Sequence, residues 1–177
     1  TFSGAGWHNN VYTHGSHSHI HFHGIGNHND VKTYGFDGDI HFYGGGWHNS
    51  VYTHGSIAEI VFHGAGHGNH VRTHGHNSDL IYHGAGANNH VYTTYHDSDI
   101  FYHGIGWSNN VHSAGNNAHI YFYGGGWHND VHTAGSHAHI NFYGAGNENH
   151  VRTLGHDSDI VFTAAGVNND VYTRGSH

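Results

Sequence analysis

The chain is predicted to be all-β: a β-solenoid, parallel β-helix-like, with 20-residue coils, two strands per coil and about nine coils. Three observations predict it. A unit x-[FY]-x-G-x-G-x-x-N-x-V-x-T-x-G-x-x-x-x-I runs from Phe2 to Thr173 without insertion or deletion, and a fixed period of this length marks a stacked repeat array. Each unit holds two short runs in which apolar and polar residues alternate, as in half-buried strands. Glycine separates the runs.

The first run carries apolar residues at the same two places in every repeat, as in Ile20 and Phe22, Leu80 and Tyr82, or Ile100 and Tyr102. The second reads Asn-x-Val-x-Thr, as in Asn29, Val31 and Thr33, or Asn109 and Val111 with Ser113 replacing the threonine. Glycines such as Gly24, Gly26 and Gly35 lie between the runs, and only glycine reaches positive φ cheaply, so they are expected to make the bends. Ala164 and Tyr95 break that glycine pattern and are expected to distort the chain locally. Glycine density and the β-branched and aromatic runs disfavour helix. Coils stacked at roughly 4.8 Å make a rod about 43 Å long. Ile and Phe of one sheet then face Val and Thr of the other, while the recurring asparagine forms an amide ladder along the axis.

Composition narrows the function classes. Charged residues are 9 % of the chain, against 29 glycines and 28 histidines. Low charge with many aromatics and a strict period argues against disorder. The formal charge is -8, and four Lys and Arg give no basic footprint for nucleic acid. No cysteine is present for disulfides or thiolate metal sites. No apolar run approaches the ~20 residues of a membrane helix. No leader is visible in these residues, and without Met the expectation is that Thr1 is not a translation start. Residues 1-177 read as one array with no separate cap, expected either to be cut from a longer one or to stack end to end.

Two outward faces follow from the alternation. On the first, the column Val61, Ile81, Phe101 and Tyr121 is flanked by His63, His83 and His103, and on its other side by Glu59, Asp79 and Asp99. Apolar residues in register on a flat sheet are expected to make an exposed assembly face for lateral pairing of rods. On the second, tyrosine alternates with cations in Tyr12, Lys32, Tyr52, Arg72 and Tyr92. That suits cation–π contact and either glycan or matrix binding or a solvated face that limits aggregation.

Histidine abundance raises metal binding, since imidazole ligates zinc, copper and nickel. The candidate clusters are His137 and His139 with Asp157 and Asp159, and His17 and His19 with Asp37 and Asp39. Their other reading is His–Asp ion pairs. No cofactor is required by the pattern; adventitious Zn, Ni or Cu binding is the expectation. Asp97-Ser98-Asp99 and Asp157-Ser158-Asp159 have calcium-type donors but do not recur in every repeat. A repeat lattice offers the same site many times, whereas catalysis needs one differentiated site, so no enzyme is expected. Ice binding by a threonine array is disfavoured because the threonines share the inward parity.

The segments Asp79 to Gly86 with Asn89 and Val91, and Ile160 to Phe162 through Asn169 and Val171, resemble the glycine-rich repeats of large secreted RTX-type toxins, above all the multifunctional-autoprocessing kind. The resemblance implies a secreted, non-catalytic, extended segment. The calcium-binding nonapeptide of that family is not matched, because asparagine stands where its aspartate would be, so calcium-driven folding is not implied. The functional expectation is an extracellular or cell-surface structural rod that self-assembles, its main partner itself. The alternatives are a repeat spacer or binding segment of a toxin or adhesin, and a histidine-rich metal-binding or ice-binding solenoid.

Overall fold

The computed structural model describes residues 1–175 of the array expected over 1–177; its last two positions lie outside them. The described chain contains no helix. It winds into two parallel sheets of nine strands each. Strands such as Ile60–His63, Leu80–Ala85 and Ile100–Ile105 build the first sheet. His70–Thr73, His90–Thr93 and Asn110–Ser113 lie in the second. Each paired strand residue lies beside the one twenty positions on, as in Val61 with Ile81, Phe101 with Tyr121 and Val91 with Val111. The β-solenoid expectation is met strand for strand.

The core columns lie where alternation places them. Ile20, Phe22, Val31, Thr33, Ile100, Tyr102 and Val111 are all buried, so isoleucine and aromatic residues of one sheet meet valine and threonine of the other. The aromatic column is one stack from Phe2 to Phe162, with centroids 4.7–5.0 Å apart. That spacing is the strand separation itself and falls at the short end of the range for attractive ring pairs. Tyr82 and Tyr102 carry their hydroxyls into this column, and neither hydroxyl finds a hydrogen-bond partner.

The asparagine ladder forms as expected. From Asn9 to Asn149, each backbone N–H at this position donates to the Oδ1 of the asparagine one coil on, at 3.0–3.2 Å. Asn89 accepts both the backbone N–H and the side-chain amide of Asn69 and donates its own Nδ2 to Asn109, all at 3.1–3.2 Å. All three residues are buried. Asn89→Ala would strand donors on Asn69 and remove a donor from Asn109, so it is expected to cost about 2 kcal/mol, read as a lower denaturation midpoint.

The glycines meet the expectation only in part: Gly26 and its equivalents take positive φ, while Gly24 and Gly35 do not. Positive φ near +57° falls on two further places per coil, represented by His8, His28 and His48 and by His17, Asp37 and Asp97, with glycine there only at Gly68. Ile57 also sits there, with φ 60°, a costly conformation for a β-branched side chain. Gly24 and Gly35 do not take positive φ; a Cβ on either would strike the carbonyl oxygen of Gly4 or Gly15 in the coil below. Close stacking, not bending, demands glycine there. Gly26 and its equivalents need it on both counts, with φ of 159° at Gly26. The distortion expected at Ala164 and Tyr95 does not shift the register: Ala164 pairs with Gly144, and the strands flanking Tyr95 keep their partners. Small residues line one bend from inside, among them Ala58, Ser78, Ser98 and Ala118. Ser98 donates to the Gly75 carbonyl and accepts from the Ser78 N–H, both at 3.0 Å.

Candidate functional site

With the core accounted for, whatever recognises a partner lies on the outward columns. Three of them bear on the expectations.

On the first sheet, three consecutive strands present an acid, an apolar residue and a histidine at alternate positions: Glu59, Val61, His63; Asp79, Ile81, His83; Asp99, Phe101, His103. The histidines are exposed and stand ring on ring, 4.7 Å from His63 to His83 and 4.9 Å from His83 to His103. Burial and the neighbouring imidazoles hold His63 and His103 below their ordinary pKa. On the opposite edge, Asp79 and Asp99 each use one oxygen to accept the backbone N–H of the next coil, at 3.0 and 2.8 Å, which fixes both carboxylates. Burial raises the pKa of Asp99. The apolar column between the edges is less open than expected. Val61 is 9 % exposed, and Ile81, Phe101 and Tyr121 are half-buried. The reason is local: His41 one coil below and Glu59 beside it approach to 3.9 Å, and Phe101 lies flat on Tyr121 at 4.9 Å.

On the second sheet, the alternation of tyrosine and cation gives the contacts foreseen. Lys32 lies over Tyr12 at 5.4 Å, and Arg72 sits between Tyr52 and Tyr92 at 5.7 and 5.3 Å. Such contacts contribute about 0.5–1 kcal/mol each at exposed sites. Higher up the column His112 stacks on His132 at 4.5 Å. Burial, then His132 and Arg152, press the pKa of His112 down to about 4. Burial and Arg152 lower that of His132, against the nearby Asp130. A shallow hollow lined by His70, Arg72, His90, Tyr92, Asn110 and His112 lies beside them.

The proposed metal clusters do not converge. His17 and Asp37 are 2.7 Å apart, and His19 and Asp39 3.0 Å. His137 and Asp157 are 3.8 Å apart, and His139 and Asp159 3.7 Å. Each imidazole takes the acid directly above it, so each expected set of four becomes two separate pairs. Side chains at equivalent places run parallel outward rather than toward one point. Among the described residues, no three or more His, Asp or Glu side chains gather as they would around a metal. The Asp97-Ser98-Asp99 bend also separates, because Ser98 turns into the core while the Oδ1 of Asp99 binds the His119 N–H.

One edge escaped the sequence reading. Trp7, Trp47, Trp107 and Trp127 are 71 %, 56 %, 57 % and 60 % exposed, on a corner shared with exposed Ile25 and Ile105. They are all the tryptophans of the chain, and all occupy one place in the repeat. That coincidence is the signal that would have found them. The threonines, by contrast, face inward as expected: Thr33, Thr73 and Thr133 are fully buried.

No helix of the described residues is long and apolar enough to cross a membrane. No protein-family model, no curated protein and no solved structure matches the chain.

Proposed function

We propose that the chain is a non-catalytic structural rod that acts outside the cell and assembles with copies of itself. The observation that carries this reading is the unbroken register: residue pairs twenty apart run through nine strands of each sheet, so every rung repeats the same inward columns and holds its outward residues in line along the rod. A lattice of this kind multiplies weak contacts along its length, whereas it leaves no single place set apart for catalysis. The exposed tryptophan edge and the acid–apolar–histidine face supply adhesive surface.

A second reading is a repeat spacer within a larger secreted toxin or adhesin, favoured by the Gly-Ala-Gly-x-x-Asn-x-Val units at Gly84–Val91 and their equivalents. Sedimentation velocity across a hundredfold concentration range, with electron microscopy of the same samples, separates the two. Self-assembly gives species that grow with concentration and appear as rods or bundles of constant width. A monomer at every concentration overturns the assembling rod and leaves the spacer.

A further inference from the structure

We propose that two copies of this rod pair face to face through the first sheet, pointing the same way, about a two-fold axis parallel to the rod. The inference rests on the self-assembling reading and names the surface and the orientation it uses.

The face has a handed charge layout. In three successive coils the acid edge (Glu59, Asp79, Asp99) and the histidine edge (His63, His83, His103) flank the apolar column on opposite sides. Two orientations bring the same face against itself with two-fold symmetry. A two-fold axis along the strand direction turns one rod end for end and, centred on the Asp79 coil, lays Asp79 on Asp79 and Glu59 on Asp99. An axis along the rod exchanges left and right at constant height. It lays Glu59 of one copy opposite His63 of the other, Asp79 opposite His83 and Asp99 opposite His103, in both seams at once.

Imidazole N–H groups then donate to carboxylates, and charge reinforces the bond where the imidazole is protonated. Asp79 and Asp99 are already held in place by the ladder, so their carboxylates lose little further freedom on pairing. The end-for-end alternative keeps acid against acid at its centre and joins acid to histidine in one seam only, whereas the parallel pairing does so in both. Between the seams Ile81, Phe101 and Tyr121, half-buried in one rod, are covered in the pair. Nine strands at about 4.8 Å spacing and ~13 Å of outward-facing strand give on the order of 1,100 Å² buried in total, just above the ~1,000 Å² that a specific interface needs.

The test uses the full chain. His63→Glu, His83→Glu and His103→Glu together turn both seams acidic. Glu59→Lys, Asp79→Lys and Asp99→Lys together turn both seams basic. Each triple variant is expected to pair at least about 100-fold more weakly than the native chain, with circular dichroism confirming the fold. An equimolar mixture of the two is expected to pair as a heterodimer, because Glu then faces Lys. Because no cysteine is present, orientation is read with His21→Cys and Val161→Cys, near opposite ends of the same column, and a short bis-maleimide. Parallel pairing links each variant to itself. Linking only between the two variants means antiparallel pairing and overturns the proposal, as does assembly indifferent to the charge triples, although self-assembly then stands. A native chain that stays monomeric at every concentration removes both.

Discussion

Gly46→Ala is expected to lower the stability of the rod by at least about 3 kcal/mol, while Gly45→Ala, one residue earlier, leaves it unchanged or slightly higher. Gly46 has φ 134°, and an added Cβ would fall on the carbonyl oxygen of Gly26 in the coil below, 2.7 Å from its carbon and 3.0 Å from Asn27 Oδ1. Neither neighbour can retreat. The Gly26 backbone belongs to the stack, and Asn27 Oδ1 accepts the Trp47 N–H at 2.7 Å. Backbone strain of about 1–3 kcal/mol and overpacking of similar size therefore add. At Gly45 the Cβ would point outward, 3.5 Å from the Ala65 carbonyl, an ordinary contact. Alanine there restricts the unfolded chain at no cost to the folded one, a gain of up to about 0.5 kcal/mol. Denaturant midpoints of the two variants check the pair, and equal midpoints would mean that glycine serves flexibility rather than close stacking.

The same pair of residues shows how far the sequence was legible. Period and alternation sufficed for the coil, the register and the inward columns, because Ile20, Phe22, Val31 and Thr33 each recur with one chemistry and one parity. The role of the glycines was not legible. Positive φ and close approach leave the same mark in a sequence, and only stacked coordinates separate Gly24 from Gly26. The true positive-φ places escaped because His, Asp, Asn, Glu and Ile all occupy them, with no shared chemistry to signal a backbone constraint. The bend serines and alanines escaped for a related reason: Ala58 and Ser78 share only smallness. The candidate clusters at His17 and His137 were placed on the right bends, but whether four side chains converge depends on rotamer direction, which a period does not encode. Exposure of the tryptophan corner was hidden because strand parity does not carry around a bend.

Acidification from pH 7.5 to about 4.5 is expected to open the rod, with the loss beginning near pH 6.5. Six imidazoles, those of His63, His70, His74, His103, His112 and His132, are held below their ordinary pKa, burial being the first cause in each. A group whose folded pKa is depressed stays neutral in the rod while the unfolded chain takes up its proton near 6.5. Stability is therefore full above that pH and falls below it, until the folded value is reached, which for His112 is about 4. For His112 the full difference is worth at most about 3.5 kcal/mol, and its partial solvent exposure reduces that to roughly 1–2. Stacking extends the effect beyond one residue. At ten places among the described residues an imidazole lies over that of the next coil, with centroids 4.5–5.3 Å apart. Two charges at that distance repel by about 1 kcal/mol in bulk water and about 3.5 kcal/mol at an effective dielectric of 20. Full protonation of the 28 histidines carries the formal charge from -8 to +20. Opposing this, exposed pairs such as His17–Asp37 and His128–Glu148 gain at most about 1 kcal/mol each from a charged imidazole. Repulsion wins because the stacks outnumber such pairs and include half-buried rings such as those of His112 and His132. Denaturation midpoints at pH 7.5, 6, 5 and 4.5 should fall step by step, and His112→Gln, which keeps a polar side chain but cannot titrate, should flatten part of the slope. A midpoint constant across that range would show that the stacked imidazoles charge without strain.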